Sequence, residues 1–385
     1  MKTFPVTIFM LSLIMLLMIN ESYPCTFFYK ATGEHVLFGN NEDWISTESY
    51  IWFCPPEQGG YGRILLGFEI FPGQKEPFGG VNDQGLCFDM ALVSNKEYTG
   101  VITGETFKGN IFDKILKECA SVDQVLELLK RYNNLQVQYT FLVIMFGDKY
   151  GNSVIIDRGV VGEKSIQFQV VPDDTKASEP CAQYQIAQSM LSSSGGISID
   201  LFKRILANTH VEVAWATTAY STICDLKNGQ LYIYYFHNFA EEVVLDISRE
   251  VQKGYRTFEL GSLFPPSVSV KDSKWMEKKE LEERKAKRLA KVGSAGEMEK
   301  LSGTFVNSTD PEDRMVIKFE KDKLHIINAD QSSVELFPES VTNFFIPWVN
   351  GDFDLTFMKD ESKNKLELII EHKVFGIKMR YQRNE

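Results

Sequence analysis

The chain has 385 residues, of which 44% are hydrophobic and 24% charged, with 27 glycines and 13 prolines. These proportions are typical of globular proteins with about two domains, and they exclude collagen-like, low-complexity and wholly disordered chains. The formal net charge of −11 repels a phosphate backbone. We therefore expect about two globular domains and no nucleic acid as a partner.

The first 24 residues carry the features of a secretory signal peptide. Lys2 supplies a charge, residues 6–19 are apolar apart from Thr7 and Ser12, and polar residues follow. The apolar run is shorter than the roughly 20 residues that cross a bilayer comfortably. We predict that residues 1–24 are a signal peptide and short propeptide, with an uncleaved anchor as the alternative. The mature protein is then secreted, periplasmic or lumenal, with no stable membrane span after processing.

Cys25 follows this leader directly, so processing there would give it a free α-amine. Such an amine has an ordinary pKa near 7.7–8.0 and can act as a general base close to neutral pH. One residue would then supply both nucleophile and base, as N-terminal threonine does. On position alone, half of a disulfide or a lipid-attachment site is the more common role. Lipidation is disfavoured because residues 22–24, Ser-Tyr-Pro, lack the small side chains that precede a lipid-bearing cysteine.

The segment after this cysteine predicts a β hairpin that returns to it. Residues 25–29 form one strand and residues 35–39 its partner, with a turn around Gly33. A hairpin of this length brings residues 40–44 back beside the thiol. Asp43 is then placed to hold the α-ammonium or the thiol through a charge-assisted hydrogen bond.

These residues resemble the start of the mature chain in the choloylglycine hydrolase superfamily of N-terminal-nucleophile (Ntn) hydrolases. That group includes bile salt hydrolases, penicillin V acylases, acid ceramidase-like amidases and penicillin acyltransferases. Its members begin with Cys-Thr, form a hairpin and continue with Gly-Arg-Asn-x-Asp and then Trp or Phe. This chain has Cys25-Thr26 and then, at the same spacing, Gly39-Asn40-Asn41-Glu42-Asp43-Trp44. The resemblance implies a Cys25 nucleophile oriented by Asp43, with Asn40, Asn41 and Trp44 at the substrate.

A second segment, residues 79–86, reads Gly-Gly-Val-Asn-Asp-Gln-Gly-Leu and is similar to the family's Gly-x-Asn-Glu-x-Gly-Leu. By this resemblance Asn82 lies beside the nucleophile and donates to the developing oxyanion. A plain polar turn is the alternative interpretation. The family's second oxyanion asparagine corresponds to Asp173, and an ionised aspartate can only accept.

The sequence also departs from the family at two arginine positions. The arginine that follows the glycine of the first motif is Asn40 here, which removes a cation that favours a thiolate. The arginine found after the last hairpin is absent, and Asn238-Phe239 occupy that region. Two alternatives therefore remain beside an active hydrolase, namely a catalytically inactive binding protein that retains the fold and an acyltransferase of the same fold.

The implied function is a secreted cysteine hydrolase that cleaves linear, non-peptide amide C–N bonds of small N-acyl substrates through an acyl-enzyme on Cys25. Pro24 before this cysteine makes a poor signal-peptidase site. We therefore expect Cys25 to remove the short propeptide itself, as family members with propeptides do. The sequence does not define the acyl group or the amine, and it leaves a homo-oligomer open.

The elements that follow alternate between strand pairs and helices. Helices are predicted at residues 111–119, 121–129, 184–191 and 199–207, and strands at 87–93, 141–146, 153–157 and in the 218–236 hairpin with its Asn-Gly turn. This order suits an α+β fold in which sheets are flanked by helices. The family resemblance implies the same arrangement as a four-layer αββα sandwich.

Pro265-Pro266 marks the predicted domain boundary. We predict an amidase domain at 25–264, a charged helical linker at 265–299, and an antiparallel β-barrel or sandwich at 300–385. Seven short strands are expected in the last region, at residues 303–306, 315–319, 323–327, 333–337, 354–358, 366–370 and 375–381. The region resembles the lipocalin-like β domain of some secreted serine hydrolases, and it is expected to serve as an accessory module.

Six cysteines are widely and irregularly spaced, which argues against a zinc knuckle or a thioredoxin-like motif. Cys87 and Cys224 lie in apolar strand-like runs and Cys119 ends an apolar helical stripe. We predict these three to be small core residues.

The sequence has five histidines, at positions His35, His210, His237, His325 and His372. No pair has metal-ligand spacing, so they are predicted to be surface or strand residues. No metal and no cofactor is expected.

Overall fold

The computed structural model describes residues 25–57, 59–71, 73–93, 98–166, 168–170, 182–213, 216–266, 268–290, 295–308, 313–328, 332–348, 351–360, 365–372 and 377–384. The predicted leader at 1–24, Asp173 and Cys181 lie outside them. The chain divides into two compact units. Among the described residues, the first unit comprises 25–69 together with 75–270, and the second comprises 70–74 together with 271–385.

The first unit contains sixteen of the described strands. They are β1 (Thr26–Ala31), β2 (Val36–Trp44), β3 (Ser49–Cys54), β4 (Arg63–Phe71), β5 (Gln74–Asn82), β6 (Leu86–Leu92), β7 (Leu142–Asp148), β8 (Asn152–Asp157), β9 (Val160–Val161), β10 (Ser165–Ile166), β11 (Phe168–Val170), β12 (Glu212–Val213), β13 (Ala216–Asp225), β14 (Gln230–Tyr235), β15 (Val243–Asp246) and β16 (Arg256–Glu259).

The helices of this unit lie between the strand groups. They are α1 (Ile111–Glu118), α2 (Val122–Leu129), α3 (Asn134–Val137), α4 (Ala182–Ser193), α5 (Ile199–Thr209) and α6 (Ile247–Val251), followed by a 3₁₀ helix at Leu260–Leu263. The capping box predicted at the start of α2 is present. Ser121 Oγ accepts from the Gln124 N–H, and Gln124 Oε1 accepts from the Ala120 N–H.

The described strands of this unit form two sheets. Sheet A has the order β11-β1-β2-β13-β14-β15, with β12 paired to β13. Sheet B has the order β10-β8-β7-β6-β5-β4-β3-β16, with β9 paired to β8. All the strand pairings with a stated register are antiparallel, and the predicted 25–44 and 218–236 hairpins lie side by side at the centre of sheet A.

The two sheets pack face to face through buried side chains. The Tyr29 hydroxyl of sheet A donates to the Asp148 carbonyl of sheet B at 3.0 Å. Trp44 of sheet A stacks on Phe68 of sheet B, with ring centroids 4.9 Å apart. The two sheets therefore bury a shared, mainly apolar core.

Helices cover the outer face of each sheet. Phe28 of sheet A packs on Phe202 of α5, with ring centroids 4.8 Å apart. Phe88 of sheet B stacks on Phe112 of α1 at 5.1 Å. This order of layers confirms the predicted αββα sandwich.

The second unit carries a closed antiparallel barrel. Its elements are α7 (Val268–Arg288), α8 (Ala295–Glu299), β17 (Gly303–Asn307), β18 (Arg314–Glu320), β19 (Lys323–Ile327), β20 (Ser333–Pro338), β21 (Asn343–Ile346), β22 (Phe353–Asp360), β23 (Lys365–His372) and β24 (Ile377–Asn384). The predicted β domain is confirmed, with one strand more than expected. Residues Asn343–Ile346 lack the polar–apolar alternation that marks the other strands, since Phe344, Phe345 and Ile346 are all buried.

Five of the six cysteines are described, and all five are buried free thiols. Cys87, Cys119 and Cys224 lie in the core as predicted. Among the described residues, we find no helix that combines the length and the apolar character of a membrane span.

Candidate active site

The hairpin of β1 and β2 places Cys25 against the end of the β2 strand. Thr26 pairs with Asn41, so the preceding residue reaches Glu42 and Asp43. The Cys25 thiol donates to Glu42 Oε1 at 3.4 Å and accepts from the Asp43 N–H at 3.4 Å. The predicted return of the hairpin to the thiol is thus present.

The Asp43 carboxylate is buried with one of its oxygens unpartnered. Thr218 Oγ1 of β13 donates to Asp43 Oδ1 at 2.5 Å, whereas Asp43 Oδ2 has no hydrogen-bond partner among the described residues. Burial raises the pKa of Asp43 from its ordinary 3.8 to about 8, although the Thr218 hydrogen bond opposes the shift. When ionised, Asp43 can therefore accept one further hydrogen bond through Oδ2.

Glu42 forms a buried acid pair with Asp89 of β6. Burial, and then the nearby Asp89, raises the pKa of Glu42 well above its usual range. Burial also raises the pKa of Asp89, while hydrogen bonds from Glu42 and the Met90 N–H oppose the rise. Glu42 is therefore the protonated member of the pair and donates a hydrogen bond to Asp89, since two ionised carboxylates are not both stable in a site shielded from water.

These acids keep the thiol protonated. Burial raises the pKa of Cys25 well above its ordinary value, and the charges of Glu42, Asp43 and Asp89 raise it further. The described contacts of Cys25 include no cation that would favour a thiolate. The thiol consequently has to pass its proton to an acceptor before it can act as a nucleophile.

The residues predicted to bind substrate all have partners within the protein. Asn40 Nδ2 donates to Glu42 Oε2 at 3.2 Å. Asn41 Nδ2 donates to the Leu206 carbonyl of α5 at 3.0 Å. Trp44 lies between the sheets, where it stacks on Phe68 as described above and is 8% exposed. The substrate role of Asn40, Asn41 and Trp44 stays a prediction.

Asn82 lies at the end of β5 and holds a turn against α1. Its Nδ2 donates to the Leu116 and Cys119 carbonyls at 2.8 and 2.7 Å. Its Oδ1 accepts from the N–H groups of Gln84 and Leu86. In this arrangement both amide hydrogens are already donated, so the contacts favour the polar-turn interpretation over the oxyanion role.

Tyr220 of β13 completes the polar part of the interior. Its hydroxyl is buried without a hydrogen-bond partner in the described part of the chain. Burial, and then the charges of Glu42, Asp89 and Cys25, raises its pKa well above the ordinary value. It lines a cavity of about 10 Å³ with Asp89 and Thr222, which is close to the space of one water molecule. Tyr220 is therefore a neutral donor beside the acid pair.

A second cluster offers metal ligands. His210, at the end of α5, Glu212 of β12 and His237, after β14, each place one ligand atom within 4.8 Å of the other two. Their separation along the sequence gave no sign of this grouping. Sheet A brings them together because β12 pairs with β13, which pairs with β14.

Four further residues of the Cys25 region were missed in the sequence, namely Glu42, Asp89, Thr218 and Tyr220. One signal was available, because Asp89 is the single acidic residue in the otherwise apolar segment Leu86–Leu92. Such a residue in a buried strand needs a partner, which is here Glu42. Asp173, the remaining predicted site residue, lies outside the described residues.

Similarity to known proteins is confined to solved structures, since no protein-family profile and no curated protein matches the chain. Two structures of conjugated bile acid hydrolase from Clostridium perfringens are 18% and 17% identical, each with a TM-score of 0.45. They match 61% and 63% of this chain and 96% and 99% of their own. Penicillin V acylase from Agrobacterium tumefaciens is 16% identical with a TM-score of 0.41, over 62% of this chain and 92% of its own. These are kinds of enzyme that the 25–44 segment resembles.

Proposed function

We propose that the chain is a secreted cysteine hydrolase that cleaves the linear, non-peptide amide bond of small N-acyl substrates. The observation that carries this proposal is the position of the buried Cys25 thiol, which accepts a hydrogen bond from the Asp43 N–H. The side chain of Asp43 has a carboxylate oxygen without a hydrogen-bond partner among the described residues. A mature N-terminus at Cys25 would offer that oxygen an ammonium group. The resemblance of residues 25–44 to Ntn hydrolases supports the same assignment.

In this proposal, residues 1–24 direct export and are then removed. Cys25 Sγ attacks the carbonyl carbon of Pro24, the C–N bond between the two residues breaks, and a thioester forms as the amine gains a proton. Water hydrolyses the thioester and releases a peptide that ends in the Pro24 carboxylate. The Glu42–Asp89 pair, which shares one proton, contacts the thiol before any amine exists and serves as its proton acceptor.

The mature chain then has both groups that amide cleavage needs. The α-amine takes the proton from Sγ, and the thiolate attacks the substrate carbonyl. The ammonium returns the proton to the leaving amine, which leaves an acyl-enzyme thioester on Cys25. Water, activated by the same amine, hydrolyses this thioester and restores the thiol.

Asp43 and Tyr220 have separate tasks in this scheme. Asp43, ionised once the ammonium is present, orients the amine, while Thr218 holds its other oxygen. Tyr220 keeps its proton, so its hydroxyl can donate to developing negative charge near Cys25. Neither task requires a metal or cofactor in this scheme.

The test is secretion of the full-length chain from a cell line, followed by N-terminal mass spectrometry and amide turnover. The first substrates are a conjugated bile acid and penicillin V, followed by a panel of N-acyl amines. We expect a chain that begins at Cys25 and releases amine. Adding a free amine acceptor distinguishes transfer, which gives a new amide, from hydrolysis.

The alternative of an inactive binding protein is favoured by one observation. The thiol pKa is raised, and Asn40, where the family has arginine, supports Glu42 and supplies no charge. This alternative predicts binding of N-acyl ligands without amine release and without labelling of Cys25 by iodoacetamide. A secreted chain that begins upstream of Cys25 and turns nothing over would rule out the hydrolase.

A further inference from the structure

The cluster of His210, Glu212 and His237 takes no part in the contacts of Cys25. The two imidazole rings stack, with centroids 5.2 Å apart and planes inclined by 26°. One ligand atom from each of the three residues lies within 4.8 Å of the others. We propose that these residues form a binding site for a divalent transition metal of the Zn²⁺ class.

The hydrogen bonding of His210 leaves a nitrogen for the metal. Its Nδ1 lies 2.8 Å from the Ala207 carbonyl, which can only accept, so this nitrogen carries the proton. The lone pair is then on Nε2. Metal-bound histidines characteristically donate their other ring N–H to a carbonyl or carboxylate in this way.

His237 supplies a buried nitrogen that lacks a partner. Its Nε2 has no hydrogen bond within the described residues, although the atom is shielded from water. A metal ion would provide the partner that this nitrogen lacks.

The donor set and its spacing fit zinc. Two imidazoles and a carboxylate form a recognised three-ligand zinc set that leaves a fourth position for water. Tetrahedral bonds of about 2.0–2.1 Å place ligand atoms roughly 3.4 Å apart, so a distance within the 4.8 Å limit must shorten by no more than about 1.4 Å. Glu212 is exposed and can rotate to make this closure. The absence of sulfur from this donor set disfavours soft ions such as Cu(I).

The proposed metal site is linked through Val211 to Thr218, the residue that donates a hydrogen bond to Asp43. Val211, next to His210, donates its N–H to Thr218 Oγ1 at 2.7 Å and accepts from the Thr218 N–H at 2.8 Å. Thr218 in turn donates to Asp43. A bound ion would hold this segment in place, but the site depends on its own three residues and not on the proposed hydrolase.

The experiment uses the full-length chain after treatment with a chelator. ZnCl₂ is titrated by calorimetry, and CoCl₂ by visible absorption. We expect about one ion per chain and a cobalt spectrum with ligand-field bands but no thiolate charge-transfer band. That spectrum separates the proposed site from zinc bound to Cys25 or another free thiol.

Variants locate the ion. We expect His237→Asn to weaken zinc binding at least ~100-fold and Glu212→Gln at least ~10-fold, whereas the control His35→Asn leaves it unchanged. If His237→Asn fails to fold, the exposed Glu212→Gln decides. Absence of zinc uptake at millimolar concentration, a thiolate band, or wild-type affinity in Glu212→Gln overturns the proposal.

Discussion

Two clusters of carboxylates, one in each unit of the chain, differ in whether a cation compensates them. The three acids around Cys25 have no cation among their described contacts, and burial raises the pKa of each. In the barrel unit, Arg288 of α7 reaches Asp352 at 2.9 Å and Asp354 at 2.7 Å. The same chemical group is therefore left uncompensated in one cluster and neutralised in the other.

The difference separates scaffold from candidate site. An ion pair lowers the cost of burying charge, whereas an unpaired buried acid stays protonated and is retained at a cost in stability. Strongly perturbed pKa values of this kind cluster at functional sites. In the sandwich, the unpaired buried acids lie beside the nucleophilic sulfur of Cys25. In the barrel, the acids at Arg288 are paired with a cation.

Removal of the thiol has the largest expected effect. Cys25→Ala should reduce amide turnover by at least ~10³-fold, because no other group in the scheme can form the acyl-enzyme. Initial rates on the N-acyl panel measure it. The matched control is Cys54→Ala, another buried cysteine, which should keep turnover once corrected for folded fraction. Equal loss in both variants would point to folding and not to catalysis.

The pH dependence of stability tests the unpaired Asp43. With a pKa near 8 in the folded precursor and 3.8 unfolded, the carboxyl binds more protons when folded, so stability falls as pH rises from about 4 to 8. In the unprocessed Cys25→Ala chain, Asp43→Asn should remove up to about 4 kcal/mol of the loss between pH 5 and 8. Urea unfolding at each pH measures the slope.

The mature enzyme supplies the control for this slope. An α-ammonium beside Asp43 would lower its pKa, so the processed chain should show a smaller loss than the precursor. The raised pKa values of Glu42 and Asp89 also make stability fall as pH rises, in both the precursor and the mature chain. Some pH dependence of stability therefore remains after Asp43→Asn. If stability depends on pH equally in the precursor and the mature chain, the α-amine does not interact with Asp43.

Asn82 gives a third prediction, which distinguishes scaffold from chemistry. Asn82→Ala leaves the Leu116 and Cys119 carbonyls without their donor and should cost about 2–4 kcal/mol of stability. The kcat/KM of the folded fraction should stay within about threefold of wild type. A stable variant with turnover reduced ~100-fold would instead restore the oxyanion role.

Local patterns were sufficient to predict many of the elements, whereas the four-layer order came from the family resemblance, and the strands β3, β4, β5, β15 and β16 were not predicted. The cap at Ser121, the turn around Gly33 and the Asn-Gly hairpin each depend on a few adjacent residues, and the structure places all three as expected. The short strand Asn343–Ile346 was missed because four residues without alternation carry no period.

The site was predictable only where its residues are close in sequence. Cys25 and Asp43 meet through one hairpin, whose length the sequence shows. Asp89 reaches Glu42 from the other sheet, and His210 reaches His237 through three paired strands. Such meetings depend on sheet order, which periodicity does not encode.

The smallest expected effect lies in the barrel, where a substitution can remove the cation that compensates the acids. Arg288→Met removes one partner of Asp354 and one partner of Asp352 and should cost about 1–2 kcal/mol, because Arg284 still contacts Asp352 at 3.3 Å. Hydrogen exchange within 343–360 should rise while amide turnover is unchanged. Lys130→Met, which breaks an exposed pair with Glu127, is the matched control and should cost under about 0.5 kcal/mol. Equal effects of the two variants would show that these barrel acids need no cation, and the contrast with the Cys25 acids would then lose its physical basis.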